Sequence, residues 1–294
     1  MLYTIENDYL KVAVDTAGAQ LMSVYSKKTD TEYLWQGDPA YWTGRAYNLF
    51  PTIGRMFEGK YFYKNKEYVL RSHGVARYNQ FELETQTETK LVFLLKDNEQ
   101  TRSEYPFSFE FRVTFLLKDN EVTTHYAVKN LGNDTLYCGF GGHPGINIPW
   151  KGDVACFEEH YLEFSEKTNV SRQILFERTY MANEVVPYPL KEGVKLPLQH
   201  DLFDNDAVIL QNTSHCVSVK SEKDPRYVTM RYDDFKYIGF WHPDDTDAPF
   251  VCLEPWSMLP ASQGVCDHFE AKADMYHVAP GATQTAQFTL EIHE

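Results

Sequence analysis

The chain of 294 residues has no apolar run approaching the ~18 residues that a membrane-spanning helix needs. Its start, MLYTIENDYLK, has no basic region followed by an apolar one, so no signal peptide is expected. The chain therefore reads as soluble and cytoplasmic. An excess of positive charge is also missing, with 28 Lys and Arg against 42 Asp and Glu and a formal net charge of −14. Nucleic acid and anionic membranes would be repelled by that surface, whereas a small neutral ligand is little affected by it. Cysteine is sparse. Cys138, Cys156, Cys216, Cys252 and Cys266 are scattered with no CxxC pair, so neither a zinc knuckle nor a disulfide framework is expected. No linker or low-complexity tract divides the chain, and convincing helical periodicity is absent.

What the sequence does have is a period of two. In Phe107-Ser-Phe-Glu-Phe-Arg-Val-Thr-Phe115 every odd position is apolar and every even one polar, the pattern of a strand with one buried face. Shorter stretches of the same kind recur at Leu10–Val14, Tyr61–Tyr63, Phe81–Leu83, Val122–Val128 and Ala286–Leu290. Lys64-Asn65-Lys66, Gly132-Asn133-Asp134 and Pro280-Gly281 are turn signals between them. The phrase Phe-Leu-Leu-Lys-Asp-Asn-Glu occurs twice, ending at Glu99 and at Glu121, and predicts two meander strands closed by the same turn chemistry. These features predict an all-β fold, a large antiparallel β-sandwich forming one domain over residues 1–294.

Three residues stand in contexts suited to acid–base chemistry. His73 lies in Ser72-His73-Gly74, just after a strand pattern. His143 lies in the glycine-rich bend Gly139-Phe-Gly-Gly-His-Pro-Gly145, where glycine permits close backbone approach and a histidine at a strand end often faces a ligand. Glu254 ends an apolar strand within Phe250-Val-Cys-Leu-Glu-Pro-Trp256, and a buried carboxylate is costly unless it is paired or working. Arg55 and Arg45 are glycine-flanked cations able to grip hydroxyls or a phosphate. Trp42, Trp241 and Trp256 offer stacking surface for a pyranose, or ordinary core packing. Asp201, Asp204 and Asp206 lack the glycine and distal glutamate of a calcium loop, so calcium is not expected.

Taken in order, these segments resemble the aldose 1-epimerase (galactose mutarotase) family over nearly the whole chain, closest to its bacterial LacX-like branch. Gly54-Arg55 followed by Gly59-Lys60 is similar to the family segment whose arginine contacts the sugar. His73-Gly74 resembles the pair carrying the first active-site histidine. His143 with Asn147 resembles the acid histidine and the asparagine after it, and Val251–Glu254 the strand bearing the catalytic glutamate. The segment Asp204–Val208 is similar to the one whose aspartate holds sugar hydroxyls, with Asp204 favoured and Asp206 open. Gly54 and Pro255-Trp256 depart from the asparagine and glutamine of the standard mutarotase, which bears on sugar specificity.

The resemblance implies a β-supersandwich and mutarotation of an aldohexose. It implies Glu254 as base, His143 as acid and His73 as a supporting donor, with Arg55, Asp204 and Asn147 holding the sugar, and the residue contexts above add Arg45 and Trp256 to the sugar-binding set. Mutarotation changes no oxidation state and transfers no group, so no cofactor or metal is expected. Three other readings remain. One is a non-catalytic sugar-binding or sensing protein on the same fold. Another is a hexose-6-phosphate mutarotase, with Arg45, Arg71 and Arg77 as candidate phosphate ligands. The third is a zinc or iron enzyme built on two histidines and a carboxylate.

Overall fold

The alternation between Phe107 and Phe115 becomes the strand Phe109–Lys118, whose odd-numbered side chains are buried while the even ones stay accessible. It pairs with Lys90–Lys96 on one side and Glu121–Asn130 on the other, in continuous antiparallel register. The structure, a computed structural model, describes residues 1–294. Phe109, Phe111, Val113 and Phe115 are 0–1% exposed. Burying each such side chain contributes ~1.5–3 kcal/mol, which is why this hairpin faces inward.

Two large antiparallel sheets make up most of the molecule, as the period of two predicts. One has nine strands, running from Lys195–Pro197 at one edge to Glu82–Gln86 at the other, with Thr283–His293 and Glu121–Asn130 near its middle. The second has seven strands in the order Tyr180–Pro187, Ser171–Phe176, Val208–Gln211, Tyr237–Trp241, Phe250–Trp256, Gly141–Asn147 and Ala46–Leu49. A separate four-stranded sheet is formed by residues 2–32. One continuous apolar cluster of 72 buried residues runs from Ile5 to Ile292 and joins the sheets.

Three expectations need correction. The repeated phrase does not end in one turn chemistry. After Lys118 the chain turns through Asp119-Asn120 into the neighbouring strand, whereas Asn98 caps a short helix, Glu99–Glu104. The Asn98 side chain accepts from the Thr101 amide, and the Thr101 hydroxyl bonds back to the Asn98 amide. That reciprocal cap, formed by Asn98 and Thr101, starts a helix where Asn120-Glu-Val-Thr123 continues a strand. His143 is not at a bend but inside the strand Gly141–Asn147. Its glycines clear space: a Cβ on Gly142 would stand 2.6 Å from the Phe288 ring of the facing sheet. Glu254, likewise, is interior to Phe250–Trp256, every residue of which is buried.

Candidate active site

Adjacent strands set the central pair. The register that places Gly141 opposite Trp256 and Gly145 opposite Cys252 puts His143 across from Glu254. His143 Nε2 lies 3.2 Å from Glu254 Oε2. On its other flank Glu254 meets Gly239, where a Cβ would come within 3.4 Å of the Glu254 Cβ and 3.1 Å of the Trp256 ring. A residue larger than glycine would therefore press on the Trp256 ring beside Glu254.

His73 arrives from a loop. Its φ of 64° and that of Gly74, 77°, are both left-handed, and a Cβ on Gly74 would fall 2.3 Å from the Phe50 carbonyl oxygen. Glycine is required at that position by this contact. The tight turn brings the His73 imidazole edge-on to His143, with ring centroids 5.7 Å apart. Its Nδ1 accepts from the Gly54 amide at 3.2 Å, which leaves the proton on Nε2 and makes that nitrogen a donor.

These groups line a cleft of about 540 Å³, within the size range of small-molecule sites. Trp42, Tyr47, Arg55, Arg77, Trp241 and Trp256 are among its walls. Trp42 stacks on the His143 ring at 4.9 Å and Trp241 meets the same ring edge-on at 5.5 Å. The guanidinium of Arg77 lies over Tyr47, 3.7 Å from the ring centre.

Electrostatics drive the central pair towards neutrality. Burial raises the Glu254 carboxyl well above its usual range, the Asp206 charge adds to this, and the Trp256 indole opposes it. Burial lowers His143 well below the ordinary histidine range, helped by His73 and Arg77. His73 is lowered too, by burial first and then by Arg77 and Arg55. Asp206, which lines the cleft, is raised chiefly by burial, with Trp241 pulling the other way.

Of the expected site residues, Glu254, His143, His73, Arg55 and Trp256 come together around this cleft. Asp204, Asn147 and Arg45 do not. Asp204 closes the short turn His200–Phe203, and it is Asp206, with φ of 65°, that enters the wall. Asn147 donates to the Glu32 and Leu34 carbonyls, both at 2.9 Å. Arg45 donates to the Met22 carbonyl and to Gln36 Oε1, both at 2.7 Å. Those bonds tie the amino-terminal sheet to the seven-stranded one. Arg71 is held by Glu104 through two bonds of 2.8 and 3.0 Å.

The reading from sequence missed Tyr47, the ion-paired Arg178 and Asp244, and Cys252. Cys252 was visible as the residue two before Glu254, hence on the same face of the strand. Ligand atoms of His143, Cys252 and Glu254 all lie within 4.8 Å of one another. No helix is long and apolar enough to cross a membrane.

The aldose 1-epimerase family model matches residues 1–287. Protein LacX (plasmid) of Lactococcus lactis subsp. lactis is 33% identical over 301 residues, covering 99% of both chains. The solved structure of a galactose mutarotase related enzyme from Lactobacillus acidophilus is 35% identical with a TM-score of 0.94, covering 100% of this chain and 98% of that one. A galactose mutarotase-like protein from Lactobacillus casei superposes with the same TM-score of 0.94 at 28% identity, with 100% of both chains covered. By sequence and by fold, then, the chain belongs to the aldose 1-epimerase family, isomerases of the mutarotase type.

Proposed function

We propose that this protein interconverts the α and β anomers of a free aldohexose, with Glu254 as base and His143 as acid. The observation that carries the reading is the 3.2 Å approach of His143 Nε2 to Glu254 Oε2 at the floor of an open cleft. The anomeric hydroxyl and the ring oxygen of an aldopyranose are bonded to the same carbon. A base for one and an acid for the other must therefore stand side by side, as these two do.

Burial leaves the resting pair neutral, so ring opening is preceded by passage of the Glu254 carboxyl proton to His143 across the 3.2 Å contact, which gives carboxylate and imidazolium. Glu254 takes the hydroxyl proton of the anomeric carbon and His143 delivers a proton to the ring oxygen. The C–O ring bond breaks and an aldehyde forms. Rotation about the bond between the first two carbons and closure on the other face return both protons. During the open-chain stage Glu254 is protonated and His143 neutral, the state that burial favours for both groups. The His73 Nε2–H donates to sugar oxygens as charge shifts between them. Arg55 and Asp206 are placed to hold hydroxyls, and Trp256 presents ring surface to the cleft.

The test is anomer exchange followed by NMR on a panel of neutral aldoses, with protein stripped by a strong chelator. Full acceleration after chelation is expected, since the proposed steps move protons between side chains and sugar alone. Sugar binding without acceleration would establish a binding protein instead.

A further inference from the structure

Proton transfer leaves one buried donor beside the central pair idle. Cys252 and Glu254 alternate along one strand and project from the same face. The cross-strand partner of Cys252 is Gly145, so no side chain from that position separates its sulfur from His143. His143, Cys252 and Glu254 are 7%, 0% and 2% exposed. His143 Nδ1 lacks any hydrogen-bond partner, and Glu254 Oε2 has only the 3.2 Å approach of His143 Nε2, which does not form a well-aligned hydrogen bond. Buried polar groups are nearly always partnered, so an orphaned nitrogen beside a poorly satisfied carboxylate points to a ligand. Sugar hydroxyls satisfy the nitrogen and the oxygen but leave the sulfur without a role.

Imidazole, thiolate and carboxylate together form a donor set for zinc and its neighbours, whereas magnesium and calcium avoid thiolate. In a tetrahedral site with bonds of ~2.0–2.3 Å the donors stand about 3.5 Å apart. The present 4.8 Å limit closes to that with side-chain shifts under about 1 Å each. The open side of the cleft leaves a fourth position for water. Two anionic donors balance the two charges of the cation, and a neutral cluster is what a buried floor tolerates. Arg55 and Arg77 oppose the cation and Asp206 offsets part of that, so moderate affinity is expected.

We propose that His143, Cys252 and Glu254 bind a zinc-class divalent cation, which excludes the sugar and holds the enzyme inactive until it is removed. The inhibitory half rests on the mutarotase reading, and the binding half does not. The effect runs opposite to that of a metalloenzyme: the cation lowers the rate and chelation restores it.

Cobalt(II) serves as the spectroscopic probe and zinc as the inhibitor. Chelator-treated protein titrated with cobalt should show thiolate-to-cobalt charge-transfer absorption that saturates at one equivalent and is displaced by zinc. Cys252→Ala and Cys252→Ser should both lose it, although four other cysteines remain. In the exchange assay zinc should inhibit and magnesium should not, and added sugar should weaken the inhibition. Either variant should raise the inhibitory zinc concentration at least tenfold while its metal-free rate stays within twofold. Cobalt spectra without thiolate absorption, or equal zinc sensitivity in the parent and both variants, would overturn the site. If the absorption is present but the parent protein accelerates no anomer exchange, the mutarotase reading fails and the cation site stands.

Discussion

Replacing Glu254 by Gln keeps the size of the side chain and one acceptor but removes the proposed base. Anomer exchange should slow by at least ~10²-fold, with KM changing much less. His143→Asn should act in the same way by removing the acid. Arg55→Ala should instead act mainly on KM, because it is assigned to hydroxyls gripped alike in ground and transition states. An unchanged kcat in Glu254→Gln would exclude it as the base. The sequence exposed Glu254 and the two histidines for a physical reason: a carboxylate within an apolar strand, or a histidine among glycines, is expensive unless it has work to do. Asp206 was harder to separate from Asp204, since the choice turns on one left-handed residue after a short helical turn. Arg45 and Asn147 misled because a side chain that satisfies backbone carbonyls has the same composition as one that grips a sugar.

Strands were legible wherever one face meets the core and the other meets water, as in Phe109–Lys118. The central strands of the seven-stranded sheet were not, because Gly141–Asn147 and Phe250–Trp256 are buried on both faces and lose the alternation. The helix Glu99–Glu104 was missed because six residues are too few for a period to show. Gly142→Ala tests the reading of the glycines. Its new methyl meets the Phe288 ring at 2.6 Å, so melting should show a loss of ~1–3 kcal/mol, and exchange should slow as His143 shifts. A stable and fully active variant would contradict that placement.

A second element-level expectation concerns the segment after Trp241. His242 donates through Nδ1 to the Pro243 carbonyl at 2.7 Å and accepts through Nε2 from His200 at 3.1 Å. Glu158 lies 3.5 Å beyond His200, and Asp244 follows in the cleft wall. Burial, together with His200, lowers His242 to about 4 from an ordinary 6.5, against the opposing pull of the Pro243 carbonyl and Asp244. A folded value below the unfolded one means the unfolded chain binds the extra proton. Stability from this group is therefore complete above pH ~6.5 and lost as pH falls towards 4, by at most about 1.4 kcal/mol per pH unit. Thermal melts of His242→Gln should show a shallower acid slope than the parent. Equal slopes would contradict the linkage.

At the scale of the whole molecule, a net charge of −14 and the layout of the arginines bear on phosphorylated sugars. Of the arginines that could clamp a phosphate, Arg45 and Arg71 are committed to other partners, which leaves in the cleft Arg55, assigned to hydroxyls, and Arg77, held over the Tyr47 ring. A 6-phosphosugar should therefore gain less than tenfold in KM over its free sugar, about 1.4 kcal/mol. A larger gain that shrinks with added salt would contradict this. The proposed acid and base come from positions 143 and 254, on neighbouring strands deep in one sheet. Neither rides on a mobile lid, and neither meets the other until that sheet has closed. Enzymatic turnover is then an all-or-none gauge of assembly: in a urea series, rate and strand content should vanish at the same midpoint, and no partly folded species should retain catalysis.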